Sequence, residues 1–245
     1  MSDAMHFTST KLNYLGKKGD LRPNVDNYYT LIVGGLNTFN SANEYYPENE
    51  ANNLFLKSSK FMRRVTSGCL YGELGHPKQI PGMSQDDYVR RILTIDESNI
   101  CCHFKNIWLD TQFGKNNPRF NNPKLIAIMA EVKPSGAKGS VLQDSLANKN
   151  ENVAFSIRSL TSDYWVRGVK HKVLHTIVCW DVVVEPGIAI ANKWDSPSLE
   201  KVSEQLVTIP KLKSLCNESR VSLESRSLIE EIKEVVSHKT PIYTN

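Results

Sequence analysis

The spacing of apolar residues predicts an α+β fold: a mostly antiparallel β core with helices inserted between its strands and appended after them. Three observations carry that expectation. Segments rich in β-branched and aromatic residues recur along the middle of the chain and read as strands. Stretches with helical apolar spacing stand between and after them. Clusters of glycine, asparagine and proline separate the pieces.

Residues 1–27 are polar, carry Gly16, Gly19 and Pro23, and read as an N-terminal arm. Tyr28 to Val33 is a strand, and Gly34-Gly35 reads as the turn that ends it. Asn49 to Val65 places Leu54, Phe55, Phe61, Met62 and Val65 near helical spacing, until Ser67-Gly68 breaks the pattern. Cys69-Leu70-Tyr71 then leads into Gly72-Glu73-Leu74-Gly75-His76-Pro77. Ser84 is set to cap a helix, with Asp86 and Asp87 near the positive end of its dipole and Val89, Ile92 and Leu93 as its buried face. Strands follow at Asn99 to Leu109, Leu125 to Val132, Val153 to Arg158 and Lys172 to Val184. The turn formers of residues 114–123 make a long loop between the first two of these. Beyond Pro186 the character changes. Ser196-Pro197 supplies a cap and a first-turn proline for a helix reaching about Val207. Val221, Leu228, Ile232, Val235 and Val236 form the stripe of a second helix over Ser219 to Ser237.

Composition narrows the function. The 245 residues are 40% hydrophobic and 23% charged, as an ordinary globular core requires. No apolar run approaches the roughly 20 residues that span a bilayer, and MSDAMHFTST lacks the pattern of a secretory signal. The net charge of +4 is mild, and its densest clusters (Lys57, Lys60, Arg63 and Arg64, then Lys170-His171-Lys172) do not argue for specific nucleic-acid readout. Cys69, Cys101, Cys102, Cys179 and Cys216 are odd in number and irregular in spacing, which points to reduced thiols. Cys101-Cys102-His103 has no second half-site for zinc, so neither a metal nor a cofactor is expected.

Three segments hold residues suited to chemistry. His76 sits in a turn bounded by glycines and precedes a proline, which restricts its backbone to extended geometry. Histidine is the side chain type whose ordinary pKa lies nearest neutrality, which suits proton transfer, although a lone loop histidine is more often structural. Ser156 lies on a strand whose rigidity would hold a nucleophile in place, provided that a base stands within about 3 Å. Arg158 shares the face of Ser156 and would support an oxyanion or order the loop that does. Asp181 is an acid inside the apolar run Trp180 to Val184, costly unless paired. It would orient an imidazole or form a salt bridge to Arg158, and His103 and His175 are rivals for the third position.

These segments, in this order, resemble the prohead core proteases of T-even-like and larger tailed phages. The specific part is Gly72 to Pro77, which is similar to the family's Gly-Glu-Leu-x-His-Pro signature. Asn43 to Pro47, Ser98 to Trp108, Val132 to Gly136, Val153 to Ser159, and Asp181 to Val183 with Pro186 match more degenerate segments. The chain departs from the usual nucleophile strand at Ala154, Ile157 and Ser159. The resemblance covers about residues 28–192 and implies a protease core there, followed by a C-terminal helical segment at 193–245. It implies a β-barrel-like core surrounded by helices, like the herpesvirus maturation proteases. By it His76 is the general base, Ser156 the nucleophile and Asp181 the third member, with His103 and His175 open.

The implied activity is a serine endopeptidase inside the phage prohead, in the infected bacterial cytoplasm. Its substrates and partners would be scaffold and major capsid proteins, with homo-oligomers possible and no membrane. The family cuts after glutamate with an aliphatic residue two positions before. Leu228-Ile229-Glu230 fits, so self-processing would trim the C-terminal segment. The alternative is a catalytically inactive scaffold or capsid component that keeps the protease fold.

Overall fold

The structure is a computed structural model that describes residues 4–9, 23–49, 51–194 and 203–208. Its strands are β1 (Ala4–Ser9), β2 (Tyr29–Leu36), β3 (Thr38–Phe39), β4 (Tyr45–Tyr46), β5 (Tyr71–Glu73), β6 (Ile100–Asp110), β7 (Ile126–Pro134), β8 (Ala154–Val166), β9 (Val169–Val183) and β10 (Ser203–Thr208). Its helices are α1 (Ala51–Leu54), α2 (Lys60–Thr66), α3 (Gln85–Leu93), α4 (Phe113–Asn116) and α5 (Gly139–Ala147). The class is α+β, and the pairing is antiparallel apart from the contact of β4 with β9 and one isolated bridge.

The strands make two sheets rather than a closed barrel among the described residues. One has the order β10-β1-β8-β9-β4-β3, the other β2-β7-β6-β5. Between them lies an aromatic core in which Phe104 meets Phe155 and Trp180, and Trp180 also meets Phe61 of α2. All four of these rings are essentially inaccessible, so their burial contributes on the order of 2–3 kcal/mol each. A backbone bridge joins the sheets at one corner, where Leu74, just past β5, pairs with Val182 of β9 in parallel.

The longest feature is the hairpin of β8 and β9, paired from Val166↔Val169 to Ala154↔Val183 with register shifts between Arg158 and Ser159 and between Leu160 and Thr161. Arg167 and Gly168 close it with φ of 49° and 79°, a turn of two left-handed residues that suits the twist of the flanking strands. α3 begins as its sequence dictates: Ser84 is extended and its side chain accepts from the Asp87 N–H. Tyr88, Val89, Ile92 and Leu93 form its buried face.

Several local expectations are corrected. Gly34-Gly35 does not end β2 but lies within it, beyond a bulge between Ile32 and Gly34. The helical stretch at 49–65 is two short helices, because Ser59 starts a new cap that accepts from the Met62 N–H. The loop at 114–123 contains the end of α4 and a turn of 3₁₀ helix over Pro118–Phe120. In the N-terminal arm, β1 pairs with both β8 and β10. Ser203–Thr208, at the end of the helix expected to reach Val207, is instead a strand paired with β1, and Ser196-Pro197 lies outside the described residues. The second C-terminal helix and Leu228-Ile229-Glu230 lie outside the described residues.

Candidate active site

The site is built where β5 passes beside β9. Gly72 is needed for that approach: a Cβ there would lie 2.2 Å from the Trp180 carbonyl oxygen and 2.7 Å from Cys102 Sγ. Beyond β5 the Gly75 N–H donates to the Val182 carbonyl at 2.7 Å. Gly75 has φ +76°, a left-handed turn that glycine adopts without steric cost. This turn brings the next residue, His76, onto Asp181 of the same strand. Tyr88 of α3 holds the far side of the loop by donating its hydroxyl to the Pro77 carbonyl at 3.3 Å.

His76 Nδ1 lies 2.7 Å from Asp181 Oδ2. Asp181 has no exposed surface. Burial alone would raise its pKa, but the Arg158 guanidinium and the hydrogen bond from His76 outweigh that and hold its carboxyl well below the usual carboxylate range. Asp181 is therefore ionised and His76 Nδ1 is the donor, which leaves Nε2 as the basic nitrogen. That Nε2 is buried and has no hydrogen-bond partner. A buried acceptor without a partner costs about 1–3 kcal/mol and is a reason to ask what it is held ready for.

The Arg158 guanidinium is directed at Asp181 and at the end of α3. Its Nε donates to Asp181 Oδ2 at 2.9 Å and its Nη2 to Asp181 Oδ1 at 2.6 Å, a two-pronged clamp. Nη1 donates to the Thr94 carbonyl at 3.0 Å and the Ile92 carbonyl at 3.3 Å, at the end of α3. Burial works against this charge, but Asp181 outweighs it and keeps the guanidinium protonated. Asp181 Oδ1 also accepts from the Glu73 N–H and from Cys179 Sγ, each at 3.3 Å. Asp181 is thus both the imidazole's partner and one half of a buried salt bridge, the two roles its sequence position suggests.

Glu73 extends the network. Fully buried, it pairs with Arg158 Nη2 at 3.0 Å and with both Nη atoms of Arg91 on α3. It also accepts from the Asp96 N–H and from Asn99 Nδ2. Sequence reasoning passes over Glu73 and Arg91. The available signal was an acid held between two glycines in a run that approaches an apolar strand.

Ser156 pairs directly with Asp181 across the hairpin. Residues so opposed share a face with Cβ atoms about 5 Å apart. Ser156 is 6% exposed and lines an apolar cleft with Val33, Tyr46, Ile128, Leu174 and Ile188. No hydrogen bond joins its hydroxyl to His76 Nε2. The structure therefore brings together His76, Asp181, Arg158 and the residue facing Asp181, but leaves the last hydrogen bond unmade.

The rival third members lie elsewhere. His103 is taken up by the Tyr28 hydroxyl at Nδ1 and the Gly68 carbonyl at Nε2, both at 2.9 Å. His175 Nε2 lies 2.6 Å from the Ser162 hydroxyl. Neither has His76 among these partners.

The capsid maturation protease of Pseudomonas phage phiKZ is 36% identical over 198 residues, covering 79% of this chain and 70% of that protein. The solved structure of the bacteriophage T4 capsid assembly protease, gp21, aligns over 74% of this chain and 98% of that one, with 14% identity and a TM-score of 0.46. The model of the peptidase S80 family matches residues 7–239. The chain belongs to the peptidase S80 family.

Proposed function

We propose that this protein is a serine endopeptidase of capsid maturation, acting on scaffold and capsid proteins inside the phage prohead, with His76, Ser156 and Asp181 as its catalytic triad. The observation that carries the reading is the His76 Nδ1 to Asp181 Oδ2 hydrogen bond of 2.7 Å, with Ser156 directly opposite Asp181 on the neighbouring strand. The kinship to a capsid maturation protease supports the substrate class.

In this mechanism Asp181 holds the imidazole so that Nε2 points away as a base. Nε2 takes the Ser156 proton as Oγ attacks the scissile carbonyl, and Asp181 stabilises the imidazolium that forms. The oxyanion needs donors other than the Arg158 side chain, whose nitrogens are all engaged, so backbone N–H groups serve. The imidazolium then protonates the leaving amine, and water releases the acyl-enzyme. Formation of the Nε2 to Oγ hydrogen bond belongs to the substrate complex, since catalytic hydrogen bonds often tighten only there. Self-processing at Leu228-Ile229-Glu230 and a herpesvirus-protease-like core are parts of the same reading.

A second reading is favoured by one observation: Ser156 is nearly buried and makes no hydrogen bond to His76. It makes the chain an inactive structural component of the capsid or scaffold. Incubation of the purified protein with the phage's own scaffold protein separates the two. The protease reading expects cleavage by the parent chain and none by Ser156→Ala with unchanged circular dichroism. Intact scaffold with both proteins supports the structural component, and normal cleavage by Ser156→Ala refutes the assignment of the nucleophile.

A further inference from the structure

We propose that Glu73 is a positioning residue that sets the electrostatic potential at His76 through Arg158 and Asp181. The proposal rests on the reading of His76 and Ser156 as base and nucleophile. It starts from charges that alternate in sign along one line of contacts: His76, Asp181, Arg158, Glu73, Arg91.

A carboxylate clamped by a guanidinium is a poor partner for an imidazolium, because the nearby positive charge cancels much of its field. Asp181 is in that position, with two hydrogen bonds from Arg158. Glu73 removes the difficulty. It lies 3.0 Å from Arg158 Nη2 and has no exposed surface, so solvent does not screen it. Arg158 is thereby shared between two carboxylates, and the field of Asp181 is restored toward His76. Arg91 is the outermost member, with 23% of its side chain exposed, and acts in the opposite sense with less weight.

Other titratable groups face this line from β9, β6 and α3. β9 contributes the Cys179 thiol, whose pKa burial pushes well up, so it stays neutral. β6 contributes Cys102, pushed up by burial in the same way. α3 contributes Tyr88, raised by burial and held on the Pro77 carbonyl. Asp96 stands 3.8 Å from Arg91 at the exposed end. None of these supplies the negative charge beside Arg158 that Glu73 supplies.

The sign follows directly. Removing the charge of Glu73 makes the site more positive and disfavours the imidazolium, so reactivity of Ser156 is expected to persist to lower pH. Removing the charge of Arg91 does the reverse. A purely structural role for these residues would lower stability without moving the pH dependence in opposite directions.

The test uses the full chain and a fluorophosphonate probe. Ser156 Oγ attacks phosphorus, the P–F bond breaks, fluoride leaves, and the hydroxyl proton passes to His76. The labelling rate constant is measured from about pH 5 to 9. Glu73→Gln is expected to move the acid midpoint down by about half a pH unit or more, and Arg91→Gln to move it up by about a quarter of a unit. Midpoints that coincide with the parent chain, or that move the same way in both variants, overturn the proposal. If Glu73→Gln fails to fold, Arg91→Gln decides alone: an upward shift supports the proposal, and no shift or a downward one overturns it. Ser156→Ala must not label at any pH. Labelling of that variant at the parent rate overturns the nucleophile assignment and this proposal with it, whereas the coincident midpoints overturn only the proposal.

Discussion

Replacing Asp181 by asparagine removes one charge and almost no volume, so its consequences can be worked out bond by bond. Arg158 donates to both oxygens of Asp181, and His76 donates to one of them. An asparagine amide has a single acceptor oxygen, so either orientation sets its NH₂ against a guanidinium N–H. If the oxygen faces Arg158 Nη2, the NH₂ opposes both Arg158 Nε and His76 Nδ1. The imidazole then turns to its other tautomer, and Nε2 carries the proton it should accept. The expected loss in the rate of scaffold cleavage is about 10³- to 10⁴-fold, as for other triads whose acid is made an amide. Stability falls as well. Breaking a buried pair from one side costs about 3–5 kcal/mol, and Glu73 still compensates Arg158, so the low end is expected. Scaffold cleavage followed by gel densitometry measures the first quantity, and urea denaturation of the same samples measures the second. A variant that cleaves within tenfold of the parent rate would refute the reasoning, whatever its stability.

Further outcomes follow from the same contacts. Gly72→Ala forces a methyl group to within 2.2 Å of the Trp180 carbonyl, so thermal melting should show a loss of about 3 kcal/mol or failure to fold. Gly75→Ala meets no neighbour but keeps φ at +76°, so a smaller loss of about 1 kcal/mol is expected, with reduced cleavage because His76 follows in the same turn. His103→Ala loses hydrogen bonds to Tyr28 and the Gly68 carbonyl, so urea denaturation should show about 1–2 kcal/mol lost while the cleavage rate stays within about threefold. The acid range reports on Asp181, whose folded value is depressed by Arg158 and His76. Its contribution to stability is present above the unfolded-chain value of about 3.9 and is lost as the pH falls toward the lower folded value. The gap in urea midpoint between the parent chain and Asp181→Asn should therefore narrow below about pH 4.

What could be read in the sequence is what local rules govern. The Ser84 cap, the apolar face of α3 and the hydrophobic strands of the hairpin follow from residue type and spacing, and each is present. Asp181 was legible for a related reason: an acid in an apolar strand must find partners, and it has found both that were suggested. Features set by contacts distant in sequence were not legible. Gly34 and Gly35 look like a turn, yet they sit in β2 because Ile128 and Ile190 leave little room for side chains there. α5 follows Lys138, which gives it no side-chain cap, and its buried Leu142 and Leu146 are too few to announce a helix. β10 is a strand because β1 pairs along its whole length. Glu73 was hidden most completely, since its partners Arg91 and Arg158 come from two other elements. The same holds for the span between His76 and the β6 strand. Its helix α3 carries Arg91 and Tyr88 and offers the carbonyls that end on Arg158.

The central claim is that His76, held by Asp181, activates Ser156. The most direct measurement is peptide mapping by mass spectrometry of the full chain after fluorophosphonate labelling near neutral pH. The account predicts a single phosphonylated peptide containing Ser156, and no adduct in the His76→Ala variant. An adduct on another serine, or equal labelling of Ser156 without His76, would contradict it.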